Sequence, residues 1–287
     1  MFLIKIIKYF FQAILIYTFF LIGKILGIKR SRVIFSYIFK KVGSLIKSDK
    51  IIKDNLSKFS STISKEEKET ICEKMWANYG MTFIEYVFLK EFRKNNIHMN
   101  IIGEEKLEKI SKDNKPVIFV SGHFANFELM SMEITKKEIK LATIYRPLNN
   151  FFLNPFMEYL RKKFVCKNQI KKGLQGVKNA IDYINKGHSI ALMIDQRVSE
   201  GEKIDLFNHD ALTTTLPAQL ALKYNLDIVP IFIERDKNNL FNMEIYNSIK
   251  SSNFKDKYEI SKKLNQILEE MITRNPNQWI WTHNRWK

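Results

Sequence analysis

Apolar residues run along this chain in three different rhythms. From Tyr9 to Ile22 they continue without a charge, and Lys24 is the only charge before Ile28. From Lys50 to Phe92 they recur at near-helical spacing, with Ile71, Met75, Trp76, Tyr79 and Met81 on the pattern and Ser64-Lys-Glu-Glu as a helix start. Beyond residue 97 the rhythm shortens. His98–Ile102, Val117–Ser121, Leu141–Tyr145, Ser189–Ile194, Ile228–Ile233 and Phe241–Tyr246 are brief runs that read as strands. Helical segments at Pro155–Lys163, Gly173–Asn185 and Leu216–Tyr224 separate them, and Tyr258–Arg274 closes the chain as a long helix. Apolar strands alternating with helices predict an α/β fold, a mostly parallel central sheet flanked by helices. The expected organisation is a membrane anchor at 1–32 and a single domain at 33–287, helical over 33–100 and α/β over 101–287.

The N-terminal run is a membrane signal. Its uncharged part makes a helix of about 21 Å, and Lys5 to Ile28 covers the roughly 30 Å hydrocarbon core. No small-x-small cleavage site follows. Lys24, Lys29, Arg30, Arg32, Lys40 and Lys41 come next, a basic excess that places the body on the cytoplasmic side. The alternative to a span is an anchor lying in the plane of the membrane. Ile34–Leu45 continues as a basic, apolar helix along that surface.

Charge narrows the partners. Forty-seven Lys and Arg stand against thirty Asp and Glu, a net +17 in 287 residues, which favours a polyanionic neighbour: nucleic acid, an anionic lipid surface or an acidic carrier protein. No aromatic–basic nucleic-acid motif or basic low-complexity arm is found, so nucleic acid ranks last. Cys72 and Cys166 have neither metal nor disulfide spacing and read as small buried hydrophobes. His123, His188, His209 and His283 are too scattered for a metal site.

The candidate chemistry lies at strand ends, where α/β sheets collect their ligands. Val117–Ser121 runs into Gly122-His123-Phe-Ala-Asn126-Phe-Glu128. On one continuous helix, residues five apart would point about 140° away from each other. His123 therefore belongs on a turn, with Asn126 capping or bonding locally and Glu128 inside the following helix. The expected product is an imidazole oriented by Glu128, able to take a proton from a hydroxyl. Arg146, fixed by Pro147, suits a phosphate or carboxylate. Asp195, followed by Gln196, either pairs with Arg146 or holds a sugar hydroxyl. Arg235 is either a ligand-binding or an ion-pair residue. A nucleophile elbow is absent around Ser121; the His–carboxylate pair needs no protein nucleophile if the substrate brings its own hydroxyl and the donor is an activated ester.

The Gly122–Glu128 segment resembles the H-x-x-x-x-D/E motif of glycerolipid-type acyltransferases. More of the chain resembles the late lipid A acyltransferases, the lauroyl and myristoyl transferases of Gram-negative envelopes. The resemblance rests on the apolar N-terminus, the His123 motif, Tyr145-Arg146-Pro147-Leu148, Asp195-Gln196, Thr213-Thr-Thr-Leu-Pro217-Ala, Val229-Pro230 before Arg235, and Asn275-Pro-Asn-Gln-Trp279-Ile-Trp281-Thr-His283-Asn-Arg285-Trp286. Two stretches depart from the family pattern: Glu200–Asn208 is poorer in glycine, and Asn284 stands where arginine is usual. The resemblance implies acyl transfer from acyl carrier protein to a hydroxyl of an acyl chain on a phosphorylated lipid A precursor. In that reading His123 and Glu128 are catalytic, and Asn126, Arg146, Asp195, Gln196 and Arg235 bind substrate. It also implies neither metal nor other cofactor, and a location at the cytoplasmic face of a bacterial inner membrane among anionic lipids.

Overall fold

The computed structural model describes residues 2–46 and 49–287. Its helices are α1 (Phe2–Ile46), α2 (Asp49–Phe59), α3 (Lys65–Glu85), α4 (Leu89–Lys94), α5 (Glu104–Asp113), α6 (Glu128–Lys136), α7 (Asn154–Leu160), α8 (Leu174–Asn185), α9 (Leu216–Tyr224) and α10 (Lys257–Arg274). The strands are β1 (Met99–Ile102), β2 (Ile118–Ser121), β3 (Leu141–Tyr145), β4 (Asn168–Lys171), β5 (Ser189–Met193), β6 (Glu202–Leu206), β7 (His209–Thr213), β8 (Asp227–Arg235), β9 (Phe241–Ile245) and β10 (Ile249–Lys250).

The main sheet has the order β1-β9-β8-β2-β5-β3-β4, with β10 added beside β8. It is parallel except that β8 runs antiparallel to β9 and β10. Helices cover both faces, which explains why β2 is an unbroken apolar run rather than an alternating one. Phe119 packs into the core on one face, while Ile118 and Val120 enter the core on the other. All four β2 residues are buried. The first core joins α3, α6 and the C-terminal tryptophans; the second joins α8, α9 and the first half of α10.

The helical N-terminal half is divided by local chemistry. Ser64 and Glu67 form the reciprocal capping box expected of a helix start. The single stretch read as 50–92 is three α-helices plus a short 3₁₀ turn at Tyr86–Phe88. Helix α1 does not stop at residue 32. It continues to Ile46 with a kink at Gly27, whose φ of 74° suits a residue without a Cβ. The expected boundary at 32 therefore falls inside a helix, and the one at 101 falls inside β1. Glu200–Asn208 supplies β6, which pairs with β7 in a separate hairpin.

Candidate active site

Strand order creates the site. β2 and β5 are parallel neighbours in register, with Ser121 opposite Met193. Both chains leave the sheet at the same edge, so His123 and Asp195 each emerge two residues past that last pair. The Ile194 N–H donates to the Ser121 carbonyl at 2.9 Å, extending the ladder up to the site.

His123 stands on the expected turn, and Glu128 is the first residue of α6. The turn is strained: Ala125 takes φ 42°, in the left-handed region, which costs a residue with a Cβ about 1 kcal/mol. Neighbours on both sides hold it there. Thr82 Oγ1 donates to the Ala125 carbonyl at 2.9 Å, the Ala125 N–H donates to the Gln278 carbonyl at 3.2 Å, and Phe124 bridges to Trp279.

The group that orients His123 is Asp195, not Glu128. Asp195 Oδ1 lies 2.7 Å from His123 Nδ1, and its Oδ2 accepts the His123 backbone N–H at 2.7 Å and the Trp279 indole N–H at 2.9 Å. Asp195 is buried; burial pushes its pKa up, but its interactions with His123 and the Trp279 indole N–H hold it below the ordinary carboxylate value. A carboxylate on Nδ1 keeps that nitrogen protonated and leaves the Nε2 lone pair free. Nε2 lies 3.5 Å from the Gln196 amide nitrogen. Asp195 thus pairs with His123 instead of Arg146.

Glu128 faces the same cavity but belongs to a second cluster. Its Oε1 accepts from Tyr86 Oη at 2.6 Å and from Arg161 Nε at 2.7 Å, with Arg161 Nη2 at 2.6 Å. Burial and the Glu128 charge push the Tyr86 hydroxyl well above its usual range. Burial opposes the charge on Arg161, but Glu128 and Tyr86 outweigh it and keep the guanidinium firmly protonated. Sequence reasoning missed both Tyr86 and Arg161. Arg161 opens a π-helical turn at Arg161–Val165, a local irregularity often found at functional sites but invisible in the residue pattern.

Asn126 and Arg235 bind neither cavity nor rim. They meet behind the turn at Glu85, which is fully buried: Asn126 Nδ2 donates to it at 2.9 Å, Arg235 through Nη1 and Nη2 at 2.5 and 3.0 Å, and Arg32 of α1 through Nε at 2.6 Å. Burial would raise the Glu85 pKa, yet the two arginines hold it below the ordinary value. Both candidates are better explained as supports of the turn, because a carboxylate this deep needs paired charges.

The cavity has a volume of about 730 Å³. His123, Glu128, Tyr86 and Arg161 line it, and so do Arg146 and Gln196. Ile16 and Phe20 of α1, Tyr79 and Phe83 of α3, and Met130, Val165 and Ala191 supply apolar wall. Arg146, Lys172 and His283 add a polar side. Burial and the neighbouring Arg146 lower the Lys172 pKa; burial lowers that of His283.

A histidine held by a buried carboxylate, a second carboxylate–guanidinium cluster and a largely apolar cavity are parts suited to acyl transfer. The chain belongs to the bacterial lipid A biosynthesis acyltransferase family, whose model matches residues 3–287. It is 22% identical over 252 residues to the lipid A biosynthesis palmitoleoyltransferase of Escherichia coli (strain K12), covering 85% of this chain and 80% of that one. To the lauroyltransferase of the same organism it is 23% identical over 245 residues, 83% of this chain and 78% of that one. Lipid A biosynthesis acyltransferase 2 of Shigella flexneri is 22% identical over 286 residues, 96% and 90% of the two chains. Among solved structures, the 1-acyl-sn-glycerophosphate (LPA) acyltransferase PlsC from Thermotoga maritima overlays with a TM-score of 0.42 at 13% identity, over 88% of this chain and 100% of that one.

Proposed function

We propose that this enzyme, held at the cytoplasmic face of a bacterial inner membrane, moves a fatty acyl chain from acyl carrier protein to a hydroxyl of an acyl chain on a phosphorylated lipid A precursor. The observation that carries the chemistry is the His123–Asp195 pair, with His123 in the wall of the cavity. His123 Nε2 takes the proton from the acceptor hydroxyl as its oxygen attacks the thioester carbonyl. The carbon–sulfur bond breaks, and the leaving thiolate recovers the proton from the imidazolium. Asp195 holds the imidazole and balances the charge that forms on it. Arg161, fixed by Glu128, presents positive charge where the thioester oxygen becomes negative. Glu128 therefore acts through Arg161 rather than through the histidine.

The rest of the cavity fits two lipidic substrates. Its apolar wall takes hydrocarbon, and Arg146 with Lys172 suits a phosphate of the acceptor or of the carrier's arm. The net charge of +17 favours an acidic carrier protein and an anionic leaflet. The long apolar α1 is the anchor. Transfer of labelled acyl groups from acyl carrier protein to a lipid A precursor, with His123→Ala beside the unaltered chain, tests the reading. Loss of transfer with membrane association retained is expected; full activity in His123→Ala would remove the base. Envelope lipids analysed by mass spectrometry with and without the protein test the acceptor: an unchanged lipid A profile would redirect the chemistry to another lipid.

A further inference from the structure

The packing of α1 bears on the two readings that its sequence leaves open, a span of the bilayer or an anchor in its plane. Between Tyr9 and Gly27 it rises about 27 Å, nearly the full hydrocarbon thickness. The body follows it along that whole length. Asn150 Nδ2 donates to the Tyr9 carbonyl at 2.8 Å, the Tyr17 hydroxyl donates to the Phe152 carbonyl at 2.8 Å, and Phe20 packs on Phe83 with ring centroids 5.1 Å apart. Gly23 lies so close to α3 that an added Cβ would come within 2.3 Å of Ile84. Ala13, Phe20 and Gly23 are buried, and Tyr9 and Ile16 partly so. Spaced by three and four, these residues make one stripe along the helix.

At about 100° per residue, the opposite side carries Ile7, Phe11, Ile14, Leu21, Ile22 and Ile25, exposed by 41% (Ile22) to 76% (Ile25). Lys8 and Lys24 fall on the flanks between the two faces. A helix with protein on one side, apolar surface on the other and cations at the margins matches an interface-lying anchor. The loop that grips α1 extends the same surface: Leu148 and Phe151 are 40% and 50% exposed, and Phe151 packs edge-on against Tyr9.

We propose that Leu3–Leu26 lies in the plane of the cytoplasmic leaflet without crossing it, and that Leu148 and Phe151 dip into the same leaflet beside it. This rests on the membrane attachment proposed above. Gln12, Ile16 and Phe20 of α1 and Leu148 of the loop line the cavity, so a lipid acceptor enters sideways from the leaflet.

Spin labels on Leu3→Cys and Ile25→Cys decide it, each in the full chain carrying Cys72→Ser and reconstituted in phosphatidylethanolamine–phosphatidylglycerol vesicles. The two positions lie about 33 Å apart along the helix. Equal depth in one leaflet, read from oxygen against nickel-chelate accessibility, is the expected result. Labels near opposite surfaces would overturn the in-plane placement and leave the anchor standing; both labels in water would overturn the attachment itself. Leu148→Glu with Phe151→Glu should weaken vesicle binding about tenfold with an unchanged melting temperature. Unchanged binding would remove the loop from the contact.

Discussion

Asp195 holds His123 at two points, the imidazole Nδ1 at 2.7 Å and the backbone N–H at 2.7 Å. The carboxylate fixes the ring and the turn that carries it together, and Trp279 pins the carboxylate from the other side at 2.9 Å. Asp195→Asn keeps the size but loses the charge and gives His123 an amide partner. We expect kcat to fall roughly 10²- to 10⁴-fold with KM little changed, measured by steady-state acyl transfer. A variant with wild-type kcat would show that the pair is structural only.

The Glu128–Arg161 cluster separates a charge effect from a shape effect. Arg161 reaches Glu128 through two nitrogens, Nε and Nη2, and lysine cannot reproduce that fork. Arg161→Lys should retain most of the stability but lower kcat at least about tenfold. Arg161→Ala leaves a buried carboxylate unpaired and should lose about 3 kcal/mol as well, seen in denaturant titration. Equal activity in Arg161→Lys and the unaltered enzyme would rule out a role for the fork in transfer.

Glu85 joins three elements: Arg32 on α1, Arg235 at the end of β8 and Asn126 in the turn. Replacing it by Gln strands two buried guanidinium groups, and a loss of about 3–5 kcal/mol follows. Thermal melting and denaturant titration measure that loss. The same variant should transfer acyl groups more slowly even below its melting point, because Asn126 and the two arginines are left to share one acceptor oxygen. Unchanged stability would mean that the arginines find other partners.

Stability should fall in two stages as pH drops. Burial lowers the His283 pKa from its ordinary 6.5, so the folded chain favours the neutral ring and the unfolded chain binds more protons. Stability therefore rises with pH across the interval below 6.5 and is lost as pH falls through it. Asp195 and Glu85 have folded pKa values below their ordinary 3.8 and 4.5. Their contribution is complete above those values and disappears as pH falls further, through the folded pKa values. Denaturant titrations over a pH series test both stages, and His283→Gln should flatten only the upper one.

Much of the layout was readable in the residues alone. The apolar run Val117–Ser121, Gly122 and the start of a helix near Glu128 placed His123 on a turn, because strand and helix periods are local properties of a few residues. Arg146 and Asp195 were likewise located at strand ends. The partner of His123 was not readable. Glu128 is five residues away and Asp195 seventy-two, and nearness in sequence favoured the wrong carboxylate. Arg235 looked like a ligand residue because it ends a strand, yet β8 ends under Glu85 and not in the cavity.

What the linear chain determined was most of the apolar elements, though not the more polar β4, β6 and β7, together with the chemistry available at their ends, since each depends on neighbours within a turn or two. The folded chain alone decided which ends meet. Strand order puts β5 beside β2, and only then does one carboxylate reach the histidine while the other is claimed by Arg161. The course of α1 followed the same logic: its composition allowed a crossing, but the stripe from Tyr9 to Gly23 is covered by α3 and the Asn150 loop. That contact depends on side chains from distant parts of the chain fitting together, which no local pattern encodes.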